Sequence, residues 1–138
     1  MPITTMEPKR IIWELPIKTV SEANCSEHWS KKAKRHKQQQ FFVRTVFNHN
    51  SEPIQLPCIV TLTRLCCRFY DDDNNVSCFK KIRDEISECL IPEKRGHYVT
   101  KKGKIKAIKG RADSDPRIEW KYKQEKNKNP GIRIEIAF

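Results

Sequence analysis

Cys58-Ile59-Val60-Thr61-Leu62-Thr63-Arg64-Leu65-Cys66-Cys67-Arg68-Phe69-Tyr70 runs directly into Asp71-Asp72-Asp73-Asn74-Asn75, and a segment from Val76 to Leu90 follows. The first part sets Ile59, Val60, Leu62 and Leu65 among threonines and reads as a strand. In the last part Val76, Phe79, Ile82, Ile86 and Leu90 recur at steps of three and four, the period of an amphipathic helix. A strand, an acidic junction and a helix in direct succession place the chain among folds that mix both elements.

Upstream, Ile11 to Lys18 reads as a strand with Trp13 and Leu15 apolar, and Pro16 keeps it near a sheet edge. Ser26 to Phe47 reads as a helix with Ser26 as N-cap, because a long run without Gly or Pro follows. Its first half, Lys31-Lys32-Ala33-Lys34-Arg35-His36-Lys37, is a dense positive face, and Phe41, Phe42, Val43, Val46 and Phe47 supply packing in the second. Residues 92–112 hold eight Lys or Arg and one Glu, a net charge of +7, and read as an exposed basic loop or small β-ribbon. Ile118, Trp120 and Tyr122 alternate with Glu119, Lys121 and Lys123, and Ile132, Ile134, Ile136 and Phe138 alternate likewise. The intervening Lys126-Asn127-Lys128-Asn129-Pro130-Gly131 is turn chemistry, so an antiparallel hairpin with one buried face is expected. The order β-α-β-α-loop-β-β predicts an α+β fold: a small mixed or antiparallel sheet with two main helices packed on it. Residues 1–138 form a single domain in this reading, with a basic insertion at about 92–112.

Lys and Arg number 28 against 17 acidic residues, a formal charge of +11, so a phosphate backbone is the natural partner. The charge is spread over several segments rather than one amphipathic stripe, which disfavours a membrane-surface helix. No apolar run approaches a membrane span and no h-region opens the chain, so a soluble cytoplasmic protein is expected. Six cysteines without CxxC spacing or clustered histidines argue against zinc and for reduced, mostly buried thiols.

The acidic junction carries the chemistry. On an extended backbone following the strand, Asp71 and Asp73 share a face, roughly 6.5 Å apart. Such a pair repels unless a cation sits between, and oxygen ligands suit Mg²⁺ or Mn²⁺. In a strongly basic chain that points to metal-assisted cleavage of a nucleic-acid phosphodiester. An acidic turn after the strand is the simpler alternative. Lys80 and Asp84 stand one helical turn apart just downstream, where a lysine can stabilise a transition-state phosphate or merely pair with its neighbour. Asp113-Ser114-Asp115-Pro116 heads the next strand and either returns a carboxylate to the cluster or forms a turn.

Taken together, Asp71-Asp72-Asp73-Asn74, Phe79-Lys80-Lys81-Ile82-Arg83-Asp84 and Asp113-Ser114-Asp115-Pro116-Arg117-Ile118-Glu119-Trp120 resemble the RusA family of Holliday-junction resolvases, often encoded in phages and prophages. Asn24-Cys25-Ser26-Glu27-His28-Trp29 and Trp120-Lys121-Tyr122-Lys123-Gln124 fit its phage-type members as well, and the resemblance covers roughly residues 11–138. It implies that Asp71, Asp73 and one of Asp113 or Asp115 hold Mg²⁺, with Asp115 favoured by its spacing to Ile118, and that Lys80 assists at the phosphate. It implies a homodimer that resolves four-way DNA junctions in recombination and repair by paired nicks, with no small-molecule cofactor. DNA contact is then expected from Lys31, Lys32, Lys34, Arg35 and Lys37, from Arg68, and from Lys101, Lys102, Lys104 and Lys106. Trp29 and Phe69 could stack on bases, though core packing is the expectation for both. Two other readings stay open: a non-catalytic nucleic-acid-binding module, and a nuclease acting on flaps or forks.

Overall fold

The structure, a computed structural model, describes residues 9–22, 26–91, 97–107 and 115–138. Its elements in chain order are β1 (Arg10–Leu15), α1 (Trp29–His49), β2 (Cys58–Cys66), α2 (Asp72–Ser77), α3 (Lys80–Leu90), β3 (His97–Val99), β4 (Ile105–Ala107), β5 (Ile118–Lys126) and β6 (Gly131–Ala137). Four strands form one mixed sheet in the order β1-β6-β2-β5, and β3 and β4 form a separate antiparallel ribbon. The class is α+β as the element pattern predicts, with three helices among the described residues: α1 and α3, and the short α2 beside them.

Strand alternation builds the core. Three cross-strand rows share one face: Ile11, Ile136, Val60 and Trp120; then Trp13, Ile134, Leu62 and Tyr122; then Leu15, Ile132, Arg64 and Gln124. The helices cover this face, where Val43 of α1 and Ile82 and Ile86 of α3 join Val60, Leu62, Ile132, Ile134 and Ile136, all fully buried. Trp13 meets Phe47 of α1 edge-to-face, with ring centroids 4.9 Å apart. Arg83 of α3 lies over Trp120 and donates to the Tyr122 hydroxyl at 2.8 Å. Burying each large aliphatic side chain here contributes about 1.5–3 kcal/mol. The opposite face is polar, with Arg133 reaching both Glu14 and Glu125.

The expected hairpin does not form. β5 pairs parallel with β2, β6 pairs antiparallel with β2, and β2 therefore lies between them. The turn residues still reverse the chain, but they carry it past the end of β2, where the Asn127 N–H donates to Cys66 O at 3.0 Å. β2 is buried along nearly its whole length, and a strand so placed needs a neighbour on each side. Alternation fixes which face a residue takes, not which strand lies next to it.

Three further expectations shift. The N-cap of α1 is His28, not Ser26; its ring accepts from the Ser30 N–H. The segment from Val76 to Leu90 is broken at Cys78 and Phe79 into α2 and α3, and the Phe79 side chain is fully buried at that break. Between 92 and 112, residues 97–107 are a β-ribbon whose turn uses Gly103 at φ 77°, the left-handed region that favours glycine. The rest of the insertion and Cys25 lie outside the described residues. Cys58, Cys66 and Cys78 are buried as expected, Cys89 is half-buried and Cys67 is exposed. Among the described residues no helix is long and apolar enough to cross a membrane.

Candidate metal and nucleic-acid site

β2 ends at Cys66, and residues 67–70 carry the chain to the acidic junction. Asp71 is extended (φ −58°, ψ 156°) and is the N-cap of α2; Asp72 and Asp73 form the first turn of that helix. The strand-like alternation expected for Asp71 and Asp73 is therefore replaced by a helix start, where carboxylates are favoured by the exposed N–H groups and the helix dipole. All three carboxylates face solvent. Among the described residues none of them makes a side-chain hydrogen bond or an ion pair, although the chain carries a formal charge of +11.

The backbone beneath them is held firmly. The Gln124 side chain meets Tyr70 twice: Tyr70 N–H donates to Oε1 at 2.7 Å, and Nε2 donates to Tyr70 O at 2.8 Å. Arg64, 9% exposed, stacks its guanidinium 3.5 Å from the Tyr70 ring centroid and donates through Nη1 to Arg68 O at 2.8 Å. Behind the aspartates, Ser21 donates to Asn74 Oδ1 at 2.6 Å and Asn75 Nδ2 donates to Lys123 O at 3.3 Å. Sequence reasoning missed Arg64 and Gln124. The signal was present, since both fall on positions whose strand period calls for an inward-facing residue.

Asp115 is elsewhere. It closes the turn into β5, with Oδ1 accepting from Arg117 N–H at 2.9 Å and Nε at 3.1 Å, and Oδ2 from Nη2 at 3.0 Å. Arg117 O in turn accepts from Cys58 N–H, at the start of β2. Tyr70 is tied to Gln124, six residues beyond Ile118, and at ~3.3 Å per residue that stretch of β5 alone spans about 20 Å. Within one chain Asp115 is not brought to Asp71 and Asp73. Asp113 lies outside the described residues. Lys80 opens α3 and is exposed, one short helix beyond Asp73. No group of three His, Cys, Asp or Glu suited to a metal occurs among the described residues. What the chain supplies is a set of hard, solvent-facing carboxylate oxygens, which fits Mg²⁺: that ion takes one or two carboxylates and completes its shell with water and phosphate oxygens.

The cations divide. Lys31, Lys34 and Lys37 line the exposed side of α1, and Arg68, Lys101, Lys102 and Lys104 are exposed as well. The Lys106 side chain lies outside the description. Arg35 is otherwise engaged: its guanidinium, 10% exposed, grips Glu22 and Glu27, and Lys32 leans toward Glu22 at 3.9 Å. His36 Nε2 also meets Glu22, at 3.1 Å. Burial pushes the Glu22 carboxyl up, but the hydrogen bonds and charges of Arg35 and His36 outweigh it and the net direction is downward. Trp29 and Phe69, expected in the core, are 76% and 54% exposed. The core is already filled by aliphatic residues and Phe79, and Phe69 instead faces solvent two residues before Asp71, with Lys126 Nζ 5.4 Å from its ring centroid. No protein-family model matches the chain, and no curated protein or solved structure matches it significantly.

Proposed function

We propose that this chain is a Mg²⁺-dependent, structure-specific endonuclease of RusA-like fold that cleaves phosphodiesters of branched DNA, with the four-way junction as its substrate and paired nicks as its reaction. The observation that carries the reading is the set of exposed carboxylates at Asp71, Asp72 and Asp73, unpartnered by any cation among the described residues of a strongly basic chain. Left alone, such a cluster repels the phosphate backbone that the rest of the surface attracts. A divalent cation reverses that sign.

Asp71 and Asp73 would hold the ion, with Mn²⁺ as a possible substitute. When bound, it supplies Lewis acidity toward a phosphate oxygen and a water of lowered pKa. A carboxylate oxygen of the cluster left free by the ion would orient that water or take its proton. Lys80 offers an ammonium to the phosphate or the leaving oxygen. Lys31, Lys34 and Lys37 on α1, with Arg68, Lys101, Lys102 and Lys104, hold duplex arms through their phosphates and carry no base readout. Exposed Phe69, two residues before Asp71, stacks on a base at the branch point, and Trp29 offers a second platform. Two symmetric nicks need two copies of the site, so the active species is a homodimer whose two-fold axis matches that of the junction.

A cleavage panel of four-way, forked, flapped and linear DNA, with and without Mg²⁺, tests the proposal. Metal-dependent nicking confined to branched substrates supports it. Preference for flaps or forks moves the substrate but keeps the chemistry, and tight binding without nicking under any divalent metal leaves a binding module instead.

A further inference from the structure

The inner face of the sheet changes character in its last row. Leu15 and Ile132 are apolar, while their neighbours on the same row are Arg64 and Gln124. Both sit where a branched aliphatic side chain would be cheaper to bury, because a guanidinium and an amide must keep hydrogen-bond partners once removed from water. Their partners are specific. Gln124 satisfies both backbone groups of Tyr70, as a neighbouring strand would. Arg64 supports it on three sides: Nη1 reaches Gln124 Oε1 at 3.4 Å and Arg68 O at 2.8 Å, Nε reaches Thr19 Oγ1 at 3.2 Å, and the planar head lies on the Tyr70 ring.

The arrangement fixes the amide orientation of Gln124. Oε1 must face two donors, the Tyr70 N–H and Arg64, so Nε2 must face Tyr70 O. The clamp grips residues 68–70 and ends immediately before Asp71. We infer that Arg64 and Gln124 are positioning residues for the metal-binding carboxylate of Asp71, holding a loop that would otherwise join β2 to α2 without sheet partners. This rests on the reading of Asp71 as a metal ligand. The clamp touches neither substrate nor metal; it lowers the ordering cost of metal binding by fixing the ligand beforehand, and loss of such supporting contacts weakens metal sites by roughly 10–100-fold.

The test uses full-length wild type, Gln124→Met, which keeps the length of the side chain without its hydrogen bonds, and Gln124→Glu, which keeps the acceptor for Tyr70 N–H and Arg64 but sets an oxygen against Tyr70 O. Two quantities are read: amide hydrogen exchange at Tyr70 and Asp71, and the Mg²⁺ concentration giving half-maximal cleavage of a four-way junction. For Gln124→Met, exchange at Tyr70 should accelerate at least about tenfold while the amides of Leu62 and Ile134 stay protected, and the Mg²⁺ requirement should rise roughly 10–100-fold with kcat at saturating Mg²⁺ largely recovered. Gln124→Glu should fall between Gln124→Met and wild type. A merely structural role would lower stability without this split. Wild type that cleaves, alongside Gln124→Met with an unchanged Mg²⁺ requirement or unchanged Tyr70 exchange, overturns the inference alone. Wild type that neither cleaves branched DNA nor responds to Mg²⁺ overturns the nuclease reading and the inference with it.

Discussion

Replacing Arg35 by alanine separates two roles that a sequence of basic residues conflates. The guanidinium is 10% exposed and joins Glu22, also 10% exposed, to Glu27, 28% exposed. Removing one member of a fully buried ion pair costs about 3–5 kcal/mol, because the remaining charge is left desolvated. Here His36 and Lys32 still face Glu22 and Glu27 is partly solvated, so a loss of about 2–3 kcal/mol follows. For a domain of this size that corresponds to a fall in Tm of roughly 8–12 °C. Thermal unfolding followed by circular dichroism reads it directly. The pH dependence carries a sign. The folded-state pKa of Glu22 is held below its usual value, so its contribution is complete above the unfolded carboxylate's range and disappears as pH falls through the lower folded value. The Tm gap between wild type and Arg35→Ala should therefore narrow as pH is taken from about 6 to below about 4. Neutralising Lys31, Lys34 and Lys37 should do the converse, leaving Tm nearly unchanged while lowering the log–log salt slope of duplex binding by up to about 2.7. Arg35→Ala that unfolds within about 1 °C of wild type yet flattens the salt slope would refute the assignment of Arg35 to the fold.

Neutralising Lys101, Lys102, Lys104 and Lys106 together should lower the salt slope by up to about 3.6, and an unchanged slope would show that the ribbon stays off the DNA. Sedimentation at micromolar concentration should give about twice 16.3 kDa, alone and on a junction, while a monomer in both states would contradict paired nicking. With a thiol reagent near neutral pH, exposed Cys67 should be modified well before Cys78, whose thiol burial pushes up to about 12, and before Cys89, pushed up to about 11; mass mapping of labelled peptides checks the order.

The strands and the long basic helix were legible because period-2 and period-3.6 patterns survive in a sequence wherever one face is buried. Neighbour choice was not legible. Ile118–Lys126 and Gly131–Ala137 carry the same alternation whether they pair with each other or flank β2, and only burial of β2 on both sides distinguishes the two. The acidic junction is legible, but its backbone is not, since Asp71 to Asp73 suit a helix N-terminus as well as a strand end or a turn. The carboxylate at Asp115 shows the limit of spacing as a guide: adjacency to β5 was right, but parallel pairing puts the start of β5 at the far end of β2. Arg64 and Gln124 were readable in principle as polar residues at inward positions. Arg35 was not, because its partners Glu22 and Glu27 come from the loop before α1, and no local pattern announces such a contact.

Whether Asp71 and Asp73 hold a catalytic divalent ion is decided by single-turnover cleavage of a four-way junction by wild type, Asp71→Asn and Asp73→Asn across a Mg²⁺ titration. Each substitution keeps the shape of the side chain and removes one ligand charge. Wild type should nick the junction in two symmetric strands only when Mg²⁺ is present, and either variant should lose cleavage by at least about a thousandfold while binding the junction as tightly as wild type or more so. Near-normal cleavage by Asp73→Asn, or cleavage by wild type that persists in excess chelator, would contradict the metal assignment.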